Sequence, residues 1–180
     1  MMKRVGTEGE FPVATGSSLA GDDKASNPYQ LSHAVRCCLM AGTDHLHAAK
    51  VLIVDQQTLH VAAPSSLARG ALETIGTAYW MLQPQQRKER ITRTLRWHAQ
   101  NMKDADKALA QRDLPGYKPL DAKLAKLDAL AISRSLDPTT VRKGYTSTMA
   151  IECADQNEQD LPLGLVLPWR LCSGFAHGRP

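Results

Sequence analysis

The residues with the clearest capacity for chemistry lie near the end of the chain, where Arg170 and His177 are seven positions apart. On a helix, seven steps of 100° return to within about 20° of the starting direction, so both side chains would lie on one face. An imidazole transfers protons near neutral pH, and a guanidinium can hold a phosphate through two hydrogen bonds. The pair therefore has the chemistry to cleave a phosphodiester without a metal.

The segment resembles the HEPN superfamily, whose members are small helical bundles. Its ribonuclease members carry Arg, four to six intervening residues and His on a late helix, and here six residues separate Arg170 from His177. The resemblance implies a homodimer in which two motifs face each other, and RNA cleavage with the 2′-hydroxyl as nucleophile, in a protein of toxin or defence type. It also implies that His177 is the general acid or base and that Arg170 stabilises the phosphate. The alternative is that Arg170 pairs with a carboxylate while His177 caps or packs.

A second pair, Arg69 and Glu73, lies four residues apart on a predicted helix. An exposed ion pair within that helix is one interpretation. In HEPN-like proteins a polar residue from an earlier helix can support the motif, and the resemblance makes Glu73 a candidate to orient His177. We therefore take Arg170, His177 and Glu73 as candidate catalytic residues and Arg69 as a candidate RNA-binding residue.

A stripe of arginines recurs every three residues on the third predicted helix, at Arg87, Arg90, Arg93 and Arg96. Four cations along one side of a helix can bind a nucleic-acid backbone. The alternative is a solvated helix face balanced by nearby acids, because no series of aromatic residues accompanies the stripe.

Histidine, cysteine and aspartate cluster in the first predicted helix, but without a spacing typical of structural zinc. The residues are His33, Cys37, Cys38, Asp44, His45 and His47. Glycine-rich phosphate loops and a Gly-x-Ser-x-Gly elbow are absent from the sequence. We expect no metal and no cofactor.

Composition is that of a globular protein: 43% of the 180 residues are hydrophobic, 22% are charged and the formal net charge is +4. The four cysteines lack the spacing of a secreted disulfide framework. Neither a signal peptide nor an apolar run of about 18 residues is evident. We therefore expect a soluble, cytoplasmic protein that does not associate with membranes.

Apolar periodicity predicts an all-α fold, an up-and-down bundle of five or six helices over residues 27–180. Residues 1–26 lack sustained periodicity and are predicted to be a flexible arm. Asn27 and Pro28 look like the start of the first helix, and Asp137 with Pro138 like the start of one that reaches about Ala154.

Three further interpretations stay open. The apolar seam from Ile91 to Leu109 favours a non-catalytic helical module for dimerisation or interaction. Small-molecule binding within the bundle rests only on the apolar character of its helices. The chain stops three residues after His177, which leaves the motif's helix little length in which to pack, so one interpretation is a sequence truncated at its C-terminus.

Overall fold

The structure is a computed structural model that describes residues 12–58, 60–109, 112, 116–158 and 160–178. Within these ranges the fold is all-α and contains no β-strand, which confirms the predicted fold class. The helices are α1 (Ser18–Ser26), α2 (Leu31–Lys50), α3 (Ala63–Leu82), α4 (Arg87–Leu109), α5 (Leu120–Ser133), α6 (Pro138–Arg142), α7 (Ser147–Asn157) and α8 (Val166–Ala176). A π-helical segment, Val51–Asp55, continues α2.

The described residues thus form eight α-helices, not the expected five or six. One of the additional helices is α1, so the expected arm is wrong for residues 18–26. The Ser17 hydroxyl caps this helix by accepting from the Ala20 amide at 3.1 Å. Residues 1–11 of the expected arm lie outside the described residues.

Two expected helix boundaries are also wrong. The first predicted helix corresponds to α2, which begins at Leu31 and not at Asn27. The Asp23 carboxylate of α1 accepts from the Ser32 amide at 2.8 Å. A carboxylate brought from another helix therefore caps α2, which single-sequence capping rules do not anticipate. The helix expected from Asp137 to about Ala154 is divided into α6 and α7 at Gly144, whose φ is +73°.

The chain divides into two compact units. The first, which we call the α4 unit, contains α1, the first turn of α2, α4, α5 and α6. Its core joins the predicted seam residues Ile91 and Leu95 of α4 to α5 and α6, and the other buried members are Ala99, Leu124, Leu127, Ala131, Leu136 and Val141. Farther along the seam, Ala105 and Leu109 are exposed.

The second unit, the α3 unit, contains α2 from Val35 onward, the π-helical segment, α3, α7 and α8. In this unit α3 packs against α7 and α8. A Cβ added at Gly76 of α3 would lie 2.9 Å from Ile151 Cδ1 of α7, so glycine permits this close approach. By contrast, α8 has no buried residue.

One helical stretch of the described chain, Leu31–Asp55, is long and apolar enough to cross a membrane by length and composition. The sequence had not indicated such a stretch. Its composition includes Asp44, Lys50 and Asp55, and the last two form an ion pair with N···O 2.6 Å. One such helix is weak support for a membrane span, because helices of soluble proteins reach the same length and hydropathy.

Candidate functional site

His177 occupies the C-cap of α8, and its side chain is exposed. Its backbone N–H donates to the carbonyl oxygens of Ser173 and Gly174, which closes the last turn of the helix. Its imidazole Nε2 lies 2.7 Å from Nη1 of Arg69, a residue of α3. The C-terminus of α8 thus places the imidazole against a cation from another helix of the α3 unit.

Arg69 is held in turn by Glu73, one helical turn further along α3. Arg69 Nε donates to Glu73 Oε1 at 2.8 Å, and both side chains are about one-quarter exposed. The same carboxylate oxygen accepts from the indole Nε1 of Trp169 at 3.0 Å. Four side chains therefore form one chain of contacts, Trp169–Glu73–Arg69–His177, which we call the His177 network.

The contact with Arg69 determines which imidazole tautomer fits the network. A guanidinium nitrogen only donates hydrogen bonds, so Nε2 has to accept, and a neutral ring then carries its hydrogen on Nδ1. In that tautomer, Nε2 already accepts a hydrogen bond from Arg69.

The predicted site residues are placed as follows. Both Arg69 and Glu73 lie in the network, but Arg69 rather than Glu73 contacts the imidazole. Arg170 is exposed on α8, seven residues before His177. Trp169 was not among the predicted site residues, although an indole N–H next to the motif's arginine is a hydrogen-bond donor that usually finds a partner when half-buried.

The arginine stripe of α4 makes contacts within the chain. Both Arg87 and Arg90 donate to Asp22, and Arg90 also donates to Ser18 Oγ and to the carbonyl oxygens of Pro84 and Gln85. Arg93 pairs with Glu89, and Arg96 Nε donates to the Gly144 carbonyl oxygen. Of the four, Arg87 is the most exposed. RNA binding by the stripe stays a prediction, and these contacts occupy guanidinium groups that it would use.

A separate histidine, His98 of α4, lies on the predicted apolar seam. Its ring lies 5.0 Å from that of Tyr29 and 4.8 Å from that of Trp97, measured between centroids. Burial, and to a smaller extent the nearby charge of His33, lower the pKa of His98 to about 4. Its buried Nε2 has no hydrogen-bond partner among the residues that the structure describes, so the ring acts as a neutral packing group at neutral pH.

Among the residues that the structure describes, no group of three or more His, Cys, Asp or Glu side chains is placed to hold a metal ion. The His177 network contains one imidazole, one guanidinium, one carboxylate and one indole. The guanidinium of Arg170 lies on α8. Comparison of the chain with protein-family models, with curated proteins and with solved structures finds no match.

Proposed function

We propose that the protein is an endoribonuclease that cleaves RNA without a metal at the His177 network, and that it acts as a homodimer in the cytoplasm. The observation that carries the proposal is the 2.7 Å contact between Arg69 Nη1 and His177 Nε2. It joins a group that transfers protons near neutral pH to a group that binds phosphate. The Arg170 and His177 spacing that resembles the HEPN motif gives independent support.

The network suggests an order of events. An incoming phosphate offers Arg69 a charged acceptor in place of the neutral imidazole, so the guanidinium turns its Nη1–H from His177 Nε2 to a phosphate oxygen. Nε2 is then free to accept the proton of the RNA 2′-hydroxyl. The 2′-oxygen forms a bond to phosphorus as the bond from phosphorus to the 5′-oxygen breaks. The leaving 5′-oxygen takes a proton from water, so the products are a 2′,3′-cyclic phosphate and a 5′-hydroxyl.

The other residues of the site have positioning or electrostatic roles in this scheme. Arg170, on the same helix as His177, stabilises the charge that develops on the phosphate oxygens. Glu73 holds the guanidinium of Arg69 in place, and Trp169 in turn holds the Glu73 carboxylate. We therefore assign positioning roles to Glu73 and Trp169. The exposure of Arg170 and His177 suits a macromolecular substrate, whose backbone has to reach the site.

Incubation of the purified chain with end-labelled single-stranded RNA in EDTA tests the proposal. We expect products that carry 2′,3′-cyclic phosphates, and no cleavage where a 2′-deoxynucleotide replaces the nucleotide at the cut. His177→Ala should reduce cleavage at least about 100-fold, as expected for loss of a general base. His60→Ala, at an exposed histidine in a loop, is the matched control. Absence of cleavage, or equal cleavage by His177→Ala and the wild type, would refute the proposal.

A second candidate is a non-catalytic interaction module, favoured by the surface of α8 and of the turn before it. Four large apolar side chains are exposed there: Leu163, Leu167, Leu171 and Phe175. Exposed apolar patches mark interaction sites more often than isolated apolar residues do. Light scattering of the wild type and of Leu171→Ser tests this candidate. A dimer that the substitution dissociates, in a protein without RNA cleavage, would favour it over the enzyme.

A further inference from the structure

The α3 unit contains a cavity of about 500 Å³ that the His177 network does not use. Its wall comes from α2, α3, α7 and α8 and includes Ala68, Tyr79, Ile151, Glu158, Leu165 and Pro168. This volume lies within the range of small-molecule sites, roughly 300–1,000 Å³. At the roughly 30 Å³ that a water molecule occupies, it can hold on the order of 15 non-hydrogen atoms.

Specific contacts maintain the wall formed by α8. The carboxylate of Asp155 in α7 accepts from the backbone N–H groups of Leu165 and Val166, the latter at 3.2 Å. Gly164, with φ +58°, carries the turn beneath this carboxylate, and a Cβ there would lie 2.4 Å from Asp155 Oδ1. The carboxylate therefore fixes the start of α8, and with it Leu165 and Pro168 of the lining.

The polar groups of the lining are concentrated at one place. Glu158, just after α7, is the one formally charged residue among the described residues that line the cavity, and it is exposed to solvent. The Tyr79 hydroxyl bonds to this carboxylate; burial and the bond to Glu158 raise the pKa of Tyr79. An apolar chamber thus ends in a carboxylate that a neighbouring phenol orients.

We propose that this cavity binds a small amphiphilic amine, with its apolar body among the aliphatic residues and its ammonium group on Glu158. The charge of the lining selects the ligand class, because the Glu158 carboxylate attracts a cation and repels an anion. The proposal is independent of RNA cleavage, because Glu158 and Tyr79 belong to neither the His177 network nor the motif.

A set of three probes that share one apolar body tests the proposal: 4-phenylbutylamine, 4-phenylbutanol and 4-phenylbutyrate. In ¹⁵N NMR titrations, the amine should shift the amides of the lining residues with a Kd in the millimolar range or tighter, as expected for about 11 non-hydrogen atoms. The alcohol should bind about three- to fivefold more weakly, since the carboxylate is exposed, and the butyrate more weakly still.

Two substitutions test separately the contact of Glu158 with the ammonium group and the binding of the apolar body in the cavity. Glu158→Gln should remove the preference for the amine while leaving the alcohol's Kd unchanged. Ala68→Leu adds volume inside the cavity and should abolish binding of both probes, whereas Ala125→Leu, at an exposed position of α5, should not. Equal Kd values for amine and alcohol, unimpaired binding by Ala68→Leu, or no shift at 10 mM probe would overturn the proposal. So would shifts that follow protein concentration rather than probe concentration, since they would identify a second copy as the occupant.

Discussion

Each unit of the chain has a contact between an arginine and a carboxylate, and the two contacts differ in how exposed their side chains are to solvent. In the α4 unit, the Asp22 side chain is 2% exposed and accepts from Arg87 and from Arg90, which is itself 11% exposed. In the α3 unit, the Glu73 side chain is 24% exposed, and its partner Arg69 extends to an exposed histidine. The contact at Asp22 holds α1 and α4 together, whereas the contact at Glu73 leads through Arg69 to an imidazole that solvent can reach.

The two units also differ in how many of their large apolar side chains are exposed to solvent. The α4 unit buries its seam in a core shared by α4, α5 and α6. The α3 unit buries Trp80, Met81 and Ile151. It also exposes large apolar side chains on α2, the π-helical segment and α8, among them Leu39, Leu46, Ile53, Leu167 and Leu171. A protein gains stability from buried apolar surface and binding capacity from exposed apolar surface. We therefore expect both units to contribute to stability, and binding to depend on the α3 unit.

The largest expected effect is in the α4 unit. Asp22→Ala removes the carboxylate that neutralises Arg90, and leaving one partner of a buried ion pair uncompensated costs about 3–5 kcal/mol. Urea denaturation followed by circular dichroism measures the change in the free energy of unfolding. The control is Asp104→Ala, whose surface pair with Lys107 at 3.7 Å should contribute less than about 1 kcal/mol. If both variants lost a similarly small free energy of unfolding, the proposed contribution of Asp22 to stability would be contradicted.

The next effect concerns pH and the same unit. Because the pKa of His98 is lowered to about 4, the unfolded chain binds a proton below about pH 6.5 that the folded chain does not. Stability from this residue should thus be full above pH 6.5 and fall toward pH 4, by about 2 kcal/mol between pH 7 and pH 5. His98→Phe should flatten this part of the pH profile of unfolding. A profile that His98→Phe leaves unchanged would show that the buried ring does not titrate in this way.

The sequence predicted the secondary-structure class and much of the α4 core, because those features follow from the local periodicity of residues such as Ile91 and Leu95. It failed where a partner is distant in the chain. Asp23 caps α2, Asp22 binds the arginine stripe, and Asp155 holds the start of α8, all through contacts that no local pattern encodes. In the site, Arg69 and Glu73 were recognisable from their four-residue spacing, but their distance from His177 depends on how α3 and α8 pack.

A smaller effect is expected at the start of α8, in the α3 unit. Asp155→Ala removes the acceptor for both the Leu165 and the Val166 amide, and loss of such a cap costs about 1–2 kcal/mol. Hydrogen exchange should become faster in α8 while exchange in α4 and α5 is unchanged. Asp160→Ala, in the same connection between α7 and α8, is the matched control. Faster exchange in both units would mean that the two units do not unfold separately.

The smallest effect in energy is the most informative about the site. If Arg69 donates to His177 Nε2, the neutral imidazole should carry its hydrogen on Nδ1, and ¹⁵N NMR of the ring nitrogens distinguishes this tautomer from the Nε2–H form. Arg69→Met removes the donor, so the Nε2–H form should become populated, a shift worth about 1 kcal/mol for one hydrogen bond. Arg170→Met, on the same helix as His177, should leave the tautomer unchanged. An imidazole that carries Nε2–H in the wild type would remove the link between Arg69 and His177, and the α3 unit would then hold an ordinary surface ion pair.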